Sequence, residues 1–191
     1  LETLKKDFKL NALPVHMECF DNSNLQGTNA VSACVVFKNG KPSKKEYRHF
    51  NVKTVIGPDD FETMKEVVYR RYKRLIDEKK KLPDLIVIDG GKGQLHAANE
   101  ALEQLGLKGR QAIVGIAKKL EELFFPGDKH PLHLDKRSES LKVIQHMRNE
   151  AHRFSISHHR NKRSKVLVKS ELENIPGIGP KTKALLFQKL K

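Results

Sequence analysis

The sequence predicts an α/β protein: a mixed sheet of three antiparallel strands followed by βαβ units, flanked by helices, with a small helical hairpin as its tail. Three observations predict it. Leu85-Ile-Val-Ile88 is a short apolar run, mostly β-branched, which is the pattern of a strand buried on both faces. Helical stripes flank that run, with Phe61, Met64, Val67, Val68, Tyr72, Leu75 and Ile76 before it and Ala97, Ala98, Ala101, Leu102 and Leu105 after it. Upstream lie strand-like runs, two of them separated by Asn39-Gly40, a strong short-range hairpin signal.

Residues 1–13 read as a fraying helical or linker segment. Pro14–Asp21 reads as a strand that ends on an acid, Asn22–Gly27 as a turn, Ala30–Phe37 as a second strand and Glu46–Val52 as a third with one wetter face. Gly57-Pro-Asp-Asp60 has the form of a helix start, with Asp59 and Asp60 suited to the cap and first turn. The Leu85–Ile88 strand ends on Asp89, and Gly90, Gly91 and Gly93 let the chain turn tightly into the next helix. Gly106 marks that helix's end, and Gln111–Ile116 reads as another buried strand. Leu123–Phe125 and Pro131–Leu134 flank Pro126-Gly-Asp128 as a small hairpin. Ser138 opens a long helix whose stripe is Leu141, Ile144, Met147, Ala151 and Phe154, with His152 at its rim. Three antiparallel strands and then βαβ units imply a mixed sheet, an order that resembles the ribonuclease H-like fold. The expected domain spans residues 14–165, and residues 166–191 stand apart.

Composition narrows the class. The chain has 191 residues and a formal net charge of +14, a balance that suits a polyanionic partner, nucleic acid before anionic membrane. Between Arg148 and Lys169 stand seven Lys or Arg against one acid, Glu150, the density of a phosphate-tracking surface. Arg153, Arg160, Lys162, Arg163 and Lys165 are its candidate contacts. No apolar run approaches a membrane span and no signal peptide is visible. Cys19 and Cys34 lie in apolar strand-like runs and read as buried thiols, which suits an intracellular protein. A start at Leu1 rather than Met is expected of a fragment or a processed piece.

The chemistry-bearing candidates follow from placement. Asp21 and Asp89 each end a strand, and ligands bind outside the carboxyl ends of strands in open α/β sheets. Asp89 is equally placed to cap the next helix as a turn residue. If the two strands are neighbours, the two acids repel unless a cation lies between them, and Mg²⁺ or Mn²⁺ suits carboxylate and water ligands. His152 is the candidate third member, as a metal ligand or as a general base or acid; a helical His is as often a surface residue. The glycines after Asp89 do not make a nucleotide loop, because Lys92 is followed by Gly93 rather than Ser or Thr. Lys92 and nearby amides remain candidates for a polymer phosphate. In the tail, Leu172-x-x-Ile175-Pro-Gly-Ile-Gly-Pro180 leads to Ala184-Leu-Leu186. This resembles one helix-hairpin-helix element, in which Gly177 and Gly179 expose amides to a phosphate and Lys181 adds charge.

Taken together, Glu18-Cys-Phe-Asp-Asn-Ser-Asn-Leu-Gln-Gly27, Gly57-Pro-Asp-Asp-Phe61, Leu85-Ile-Val-Ile-Asp-Gly-Gly-Lys-Gly-Gln-Leu95, Gly115-Ile-Ala-Lys118 and Asn149-Glu-Ala-His-Arg-Phe154 resemble the C-terminal half of the UvrC family, from about Val15 to the end. The resemblance implies a divalent-metal-dependent, ribonuclease H-like endonuclease that makes the 5′ incision beside a lesion in bacterial nucleotide excision repair. Its implied catalytic residues are Asp21, Asp89 and His152, with an accessory acid at Asp60 or Asp59; Asp60 is favoured. It implies Mg²⁺ or Mn²⁺, lesion-containing double-stranded DNA, UvrB with UvrA upstream, and a bacterial cytoplasmic setting. The 3′-incising half and the UvrB-binding segment are expected to be missing from this piece. The competing expectation is a non-catalytic DNA-binding module on the same fold, which needs only the basic stretch and the hairpin.

Overall fold

The computed structural model describes residues 1–23, 31–52, 55, 59–117 and 122–173, with the backbone alone from 158 onward. Its elements, in chain order, are α1 (Glu2–Asp7), β1 (His16–Ser23), β2 (Val31–Lys38), β3 (Lys41–Pro42), β4 (Arg48–Asn51), α2 (Asp60–Asp77), β5 (Leu85–Asp89), α3 (Lys92–Gln104), β6 (Ile113–Ala117), β7 (Glu122–Phe124) and α4 (Glu139–Glu173). The strands form one mixed sheet in the order β3-β2-β1-β5-β6-β7, and β4 also pairs with β2. β1 lies antiparallel to β2 and parallel to β5, and β5 lies parallel to β6. The chain divides into two compact units, Leu1–Ser155 and Ile156–Lys191.

The period of two along each strand sorts side chains onto the two faces. Met17, Cys19, Leu85 and Val87 pack with Leu4 and Phe8 from the α1 segment and with Ile144, Met147 and Ala151 of α4. Phe20, Ile86 and Ile88 pack on the other face with Met64, Val67, Val68 and Tyr72 of α2 and Ala98, Ala101 and Leu102 of α3. Each Leu, Ile, Val, Phe or Met side chain among them, taken fully out of water, contributes about 1.5–3 kcal/mol, so the two helical layers clamp the central strands from both sides.

The sequence reading meets the structure at four places. The Asn39-Gly40 turn forms as expected, with φ of +51° and +76°, the two positive values a type I′ turn needs. The strand it opens, however, stops after two residues. Pro42 has no amide to continue the ladder, a 3-10 turn follows at Lys44–Glu46, and pairing with β2 resumes only in β4. The expected third strand, Glu46–Val52, is present as β4, and the two-residue β3 precedes it on the same edge of β2. Of the two readings of segment 1–13, helix and linker, the structure has the helix, α1: Leu4 and Phe8 are buried, and Asp7 accepts hydrogen bonds from Ser140 (2.7 Å) and Ser138 (3.4 Å). The hairpin around Pro126-Gly-Asp128 reduces to β7 and a single bridge between Leu123 and Leu132. Finally, the first compact unit ends at Ser155, whose side chain is buried, and the expected division after residue 165 lies on the stretch of α4 whose backbone alone is described. The expected helix-hairpin-helix element, with Gly177, Gly179 and Lys181, lies outside the described residues.

Candidate active site

Parallel pairing of β1 with β5 sets the site. The register places Asp21 beside Asp89, at a backbone separation of about 4.8 Å for neighbouring strands. Both continue the alternation of Met17–Cys19 and Leu85–Val87, so both face the α4 layer. A slip of one residue in either strand would turn its acid to the opposite face. Both are almost fully buried, at 1% and 3% exposure. Two full charges near that spacing repel by roughly 3 kcal/mol even at an effective dielectric of 20. Their effect is felt at Cys19: burial pushes its thiol well up, and the neighbouring Asp89 and Asp21 push it further the same way.

His152 reaches the pair from α4. Its Nδ1 lies 3.4 Å from Asp21 Oδ2, and its side chain is 53% exposed while that of Asp21 is 1%. The stripe Leu141, Ile144, Met147 and Ala151 seats the helix, and the next turn fixes its rotation. Phe154 stacks on His49 with centroids 3.8 Å apart and meets Tyr47 edge-on. The Tyr47 hydroxyl donates to Glu150 at 3.0 Å. His152 therefore stands at a fixed height beside the acids, on the solvent side.

Asp59 and Asp60 make different local contacts. Asp59 is the N-cap of α2; its Oδ1 accepts from the amides of Phe61 (2.9 Å) and Glu62 (3.0 Å). Asp60 is the first helical residue and exposed, and its carbonyl accepts from Asn22 Nδ2 at 2.9 Å. Asn22 follows Asp21 directly, so Asp60 is tied to the same end of the sheet.

The expected phosphate contacts fare differently. Lys92 opens α3, and its ammonium donates to the Lys129 carbonyl (2.6 Å) and lies 4.9 Å from the Phe124 ring centroid. Arg153 makes two 2.7 Å bonds to Glu150. Arg160, Lys162, Arg163 and Lys165 lie on the distal part of α4, where the backbone alone is described.

The donor set fits a hard divalent cation. Among the described residues no three His, Cys, Asp or Glu side chains close into a cage. Mg²⁺, however, is commonly held by one or two carboxylates, with waters and substrate phosphate oxygens completing the shell. Asp21 and Asp89 are such a pair, and a cation between them removes the repulsion that their register imposes.

One further centre escapes the sequence reading. Glu18, three residues before Asp21 and on the opposite face, is fully buried. It accepts from Arg71 (2.6 and 3.1 Å) and the Tyr72 hydroxyl (3.2 Å), with His16 Nε2 at 3.3 Å. Burial would raise its carboxyl, but the contacts from His16 and Arg71 outweigh burial and hold it at about 2. A signal for it exists in the sequence: an acid in the middle of an apolar strand requires a buried partner.

An acid pair at the carboxyl ends of neighbouring central strands, in a sheet that begins with antiparallel strands and continues through parallel crossovers, defines the ribonuclease H-like class. Residues 5–156 match the model of the UvrC RNase H endonuclease domain, and the chain belongs to that family. It is 66% identical over 188 residues to the UvrABC system protein C of Flavobacterium johnsoniae, which covers 98% of this chain and 32% of that protein. It is 46% identical over 195 residues to the protein of the same name from Bacteroides fragilis, covering all of this chain and 32% of the other. The chain thus spans about a third of the length of the curated relatives it matches. Among solved structures, human ENDOV aligns over 82% of this chain and 90% of its own at 13% identity and a TM-score of 0.48. A Ciona intestinalis endonuclease V bound to an inosine-containing DNA aligns over 78% and 65% at 19% identity and 0.42. Likeness at that level stops at a loose correspondence of elements. Among the described residues, no helix is long and apolar enough to cross a membrane.

Proposed function

We propose that this chain is a DNA endonuclease domain that hydrolyses a phosphodiester bond with Mg²⁺ or Mn²⁺, making the 5′ incision beside a lesion in bacterial nucleotide excision repair. The observation that carries the reading is the register of Asp21 on Asp89, two buried carboxylates held side by side with His152 at 3.4 Å from one of them. Family membership supports the nuclease class. The relatives' name supports a place in a UvrABC system, with UvrB and UvrA as partners and lesion-containing duplex DNA as substrate.

In this reading Asp21 and Asp89 hold the cation, and Asp60 stands near them as an accessory acid. A cation held by Asp21 and Asp89 would supply Lewis-acid activation of water and charge to steady the leaving oxygen. His152 acts as the proton carrier rather than a third ligand, because its Nδ1 is directed at Asp21 and its side chain is half exposed. Asp21 orients the ring, which leaves Nε2 to exchange a proton with the substrate side. The rigid pairing of β1 with β5 keeps the acids in place before substrate arrives, so little ordering is left for the moment of reaction.

The test is nicking of supercoiled plasmid in Mn²⁺ or Mg²⁺ by the chain and by Asp89→Asn. The expected result is metal-dependent nicking that the variant loses. If plain plasmid is not cut, the same pair is assayed on lesion-bearing DNA already bound and incised by the partner machinery. Cutting that survives Asp89→Asn overturns the assignment of the reaction to the acid pair, and salt-sensitive binding with no cutting of either substrate overturns the nuclease reading in favour of a non-catalytic DNA-binding module.

A further inference from the structure

Phe61 belongs to the apolar stripe of α2 by spacing, yet it is not in the core. Its ring is 54% exposed, whereas its stripe neighbours Met64, Val67 and Val68 are at 0%. A single exposed apolar side chain is ordinary on a protein surface, so exposure alone decides nothing. Three further observations separate Phe61 from Ile76, the exposed member at the other end of the stripe. The ring rests on the first turn of α3: a Cβ built at Gly93 would lie 2.8 Å from Cζ of Phe61 and inside contact distance of Cε1. The ring is thus seated on bare backbone instead of waving in solvent. Its own amide is fixed by the Asp59 cap at 2.9 Å. The preceding residue, Asp60, is tied to Asn22 next to Asp21.

These anchors place the ring at the carboxyl end of the sheet. It lies between the start of α2 and the start of α3, on the face opposite α4. A strand of DNA drawn to the acid pair would meet His152 on one side of the sheet edge and an aromatic plane on the other. Phosphate contacts hold a strand without fixing where along it the cut falls. A ring that stacks on a base fixes that position without reading sequence, since every base offers a π-face. We propose that Phe61 is a stacking platform for a nucleobase of the DNA strand held at the acid pair. This inference rests on the reading of Asp21 and Asp89 as the place where DNA is held.

The chain contains no tryptophan, so Phe61→Trp introduces a lone reporter at the site. The probe is a single-stranded oligonucleotide with all its bases, set against one of equal length made of abasic sites, both in Mg²⁺. Saturable quenching by the first and not by the second is the expected result. In parallel, Phe61→Ala and Phe61→Leu are compared. Both lose the plane, but leucine keeps apolar bulk over Gly93, so both are expected to weaken binding roughly tenfold and to raise KM more than they lower kcat. Fluorescence unchanged at any DNA concentration, equal quenching by the abasic strand, or wild-type binding by Phe61→Leu overturns the inference. Because fluorescence needs no cutting, base-dependent quenching in a chain that cuts neither plain plasmid nor the lesion-bearing, partner-bound DNA would sink the nuclease reading while the platform stands. Nicking lost in Asp89→Asn with no base-dependent quenching would do the reverse.

Discussion

β1 carries two buried acid centres three residues apart, and they are built on opposite plans. On the α2 face, Glu18 is closed in by donors from its own strand and from α2: His16, Arg71 and Tyr72. On the α4 face, Asp21 is set against a second acid, Asp89, with a half-exposed histidine beside it. The first centre brings its counter-charges from within the chain and seals them. The second concentrates like charge at a strand end, beside solvent. Burial of a carboxylate is therefore not by itself a mark of function: one centre sets its acid against an arginine of the fold, the other sets acid against acid at the edge of solvent.

The comparison makes its sharpest forecast for substitutions that keep shape and remove charge. Asp89→Asn and Asp21→Asn are expected to reduce nicking beyond the roughly 10²–10⁴-fold that one proton carrier contributes, while urea melts stay level or rise, because a repulsion has been relieved. Glu18→Gln should do the opposite. Unpairing a buried ion pair costs about 3–5 kcal/mol, read as a lower urea midpoint, with nicking per folded molecule unchanged. A destabilised Asp89→Asn with intact nicking would erase the distinction between the two centres.

Acid titration sharpens the same contrast. The folded-state value of Glu18, about 2, lies below its ordinary 4.5. Its contribution is thus complete above pH 4.5 and is lost as pH falls toward 2. A shift of that size corresponds to about 3 kcal/mol, and the stability profile of Glu18→Gln should be flatter than the parent's across that window.

Smaller effects are expected at the start of α2. Asp59→Ala removes a cap and costs about 1 kcal/mol with nicking retained, whereas Asp60→Asn lowers nicking at unchanged stability. The reverse outcome would exchange their roles. Least of all, Arg153→Ala should move the urea midpoint by an amount equivalent to roughly 0.5 kcal/mol or less, since its pair with Glu150 is solvent-exposed at the arginine end.

Much of this is legible in the sequence, and the illegible parts share a cause. Acids closing apolar strands mark Asp21 and Asp89, and the stripe on α4 puts His152 at its rim. The pairing of β1 with β5, which makes neighbours of residues far apart in the chain, is long-range and leaves no local trace. Glu18 reads as a motif member without a role, because its partner Arg71 lies on a helix whose polar face gives no hint that one of its cations turns inward to a buried acid. Helical period alone assigns Phe61 to the core. Period says which face a residue occupies, not how far the core beneath it extends, and Phe61 is 54% exposed although Met64, one turn on, is fully buried. Pro42 does carry its own warning, since a proline inside a strand-like run confines it to an edge.

The parallel register of Asp21 on Asp89 has a consequence in time as well as in space. β1 and β2 can zip locally, but β5 joins β1 only after the chain has travelled through β4 and α2. Contacts of such wide sequence separation are the slow ones to close. The like-charge repulsion between the two aspartates thus arises at this closure and is absent while β1 and β2 form a hairpin alone. During refolding, the acid pair should therefore come into being with the long-range closure, after local structure has formed, and chains caught before that step carry one of its halves without the other.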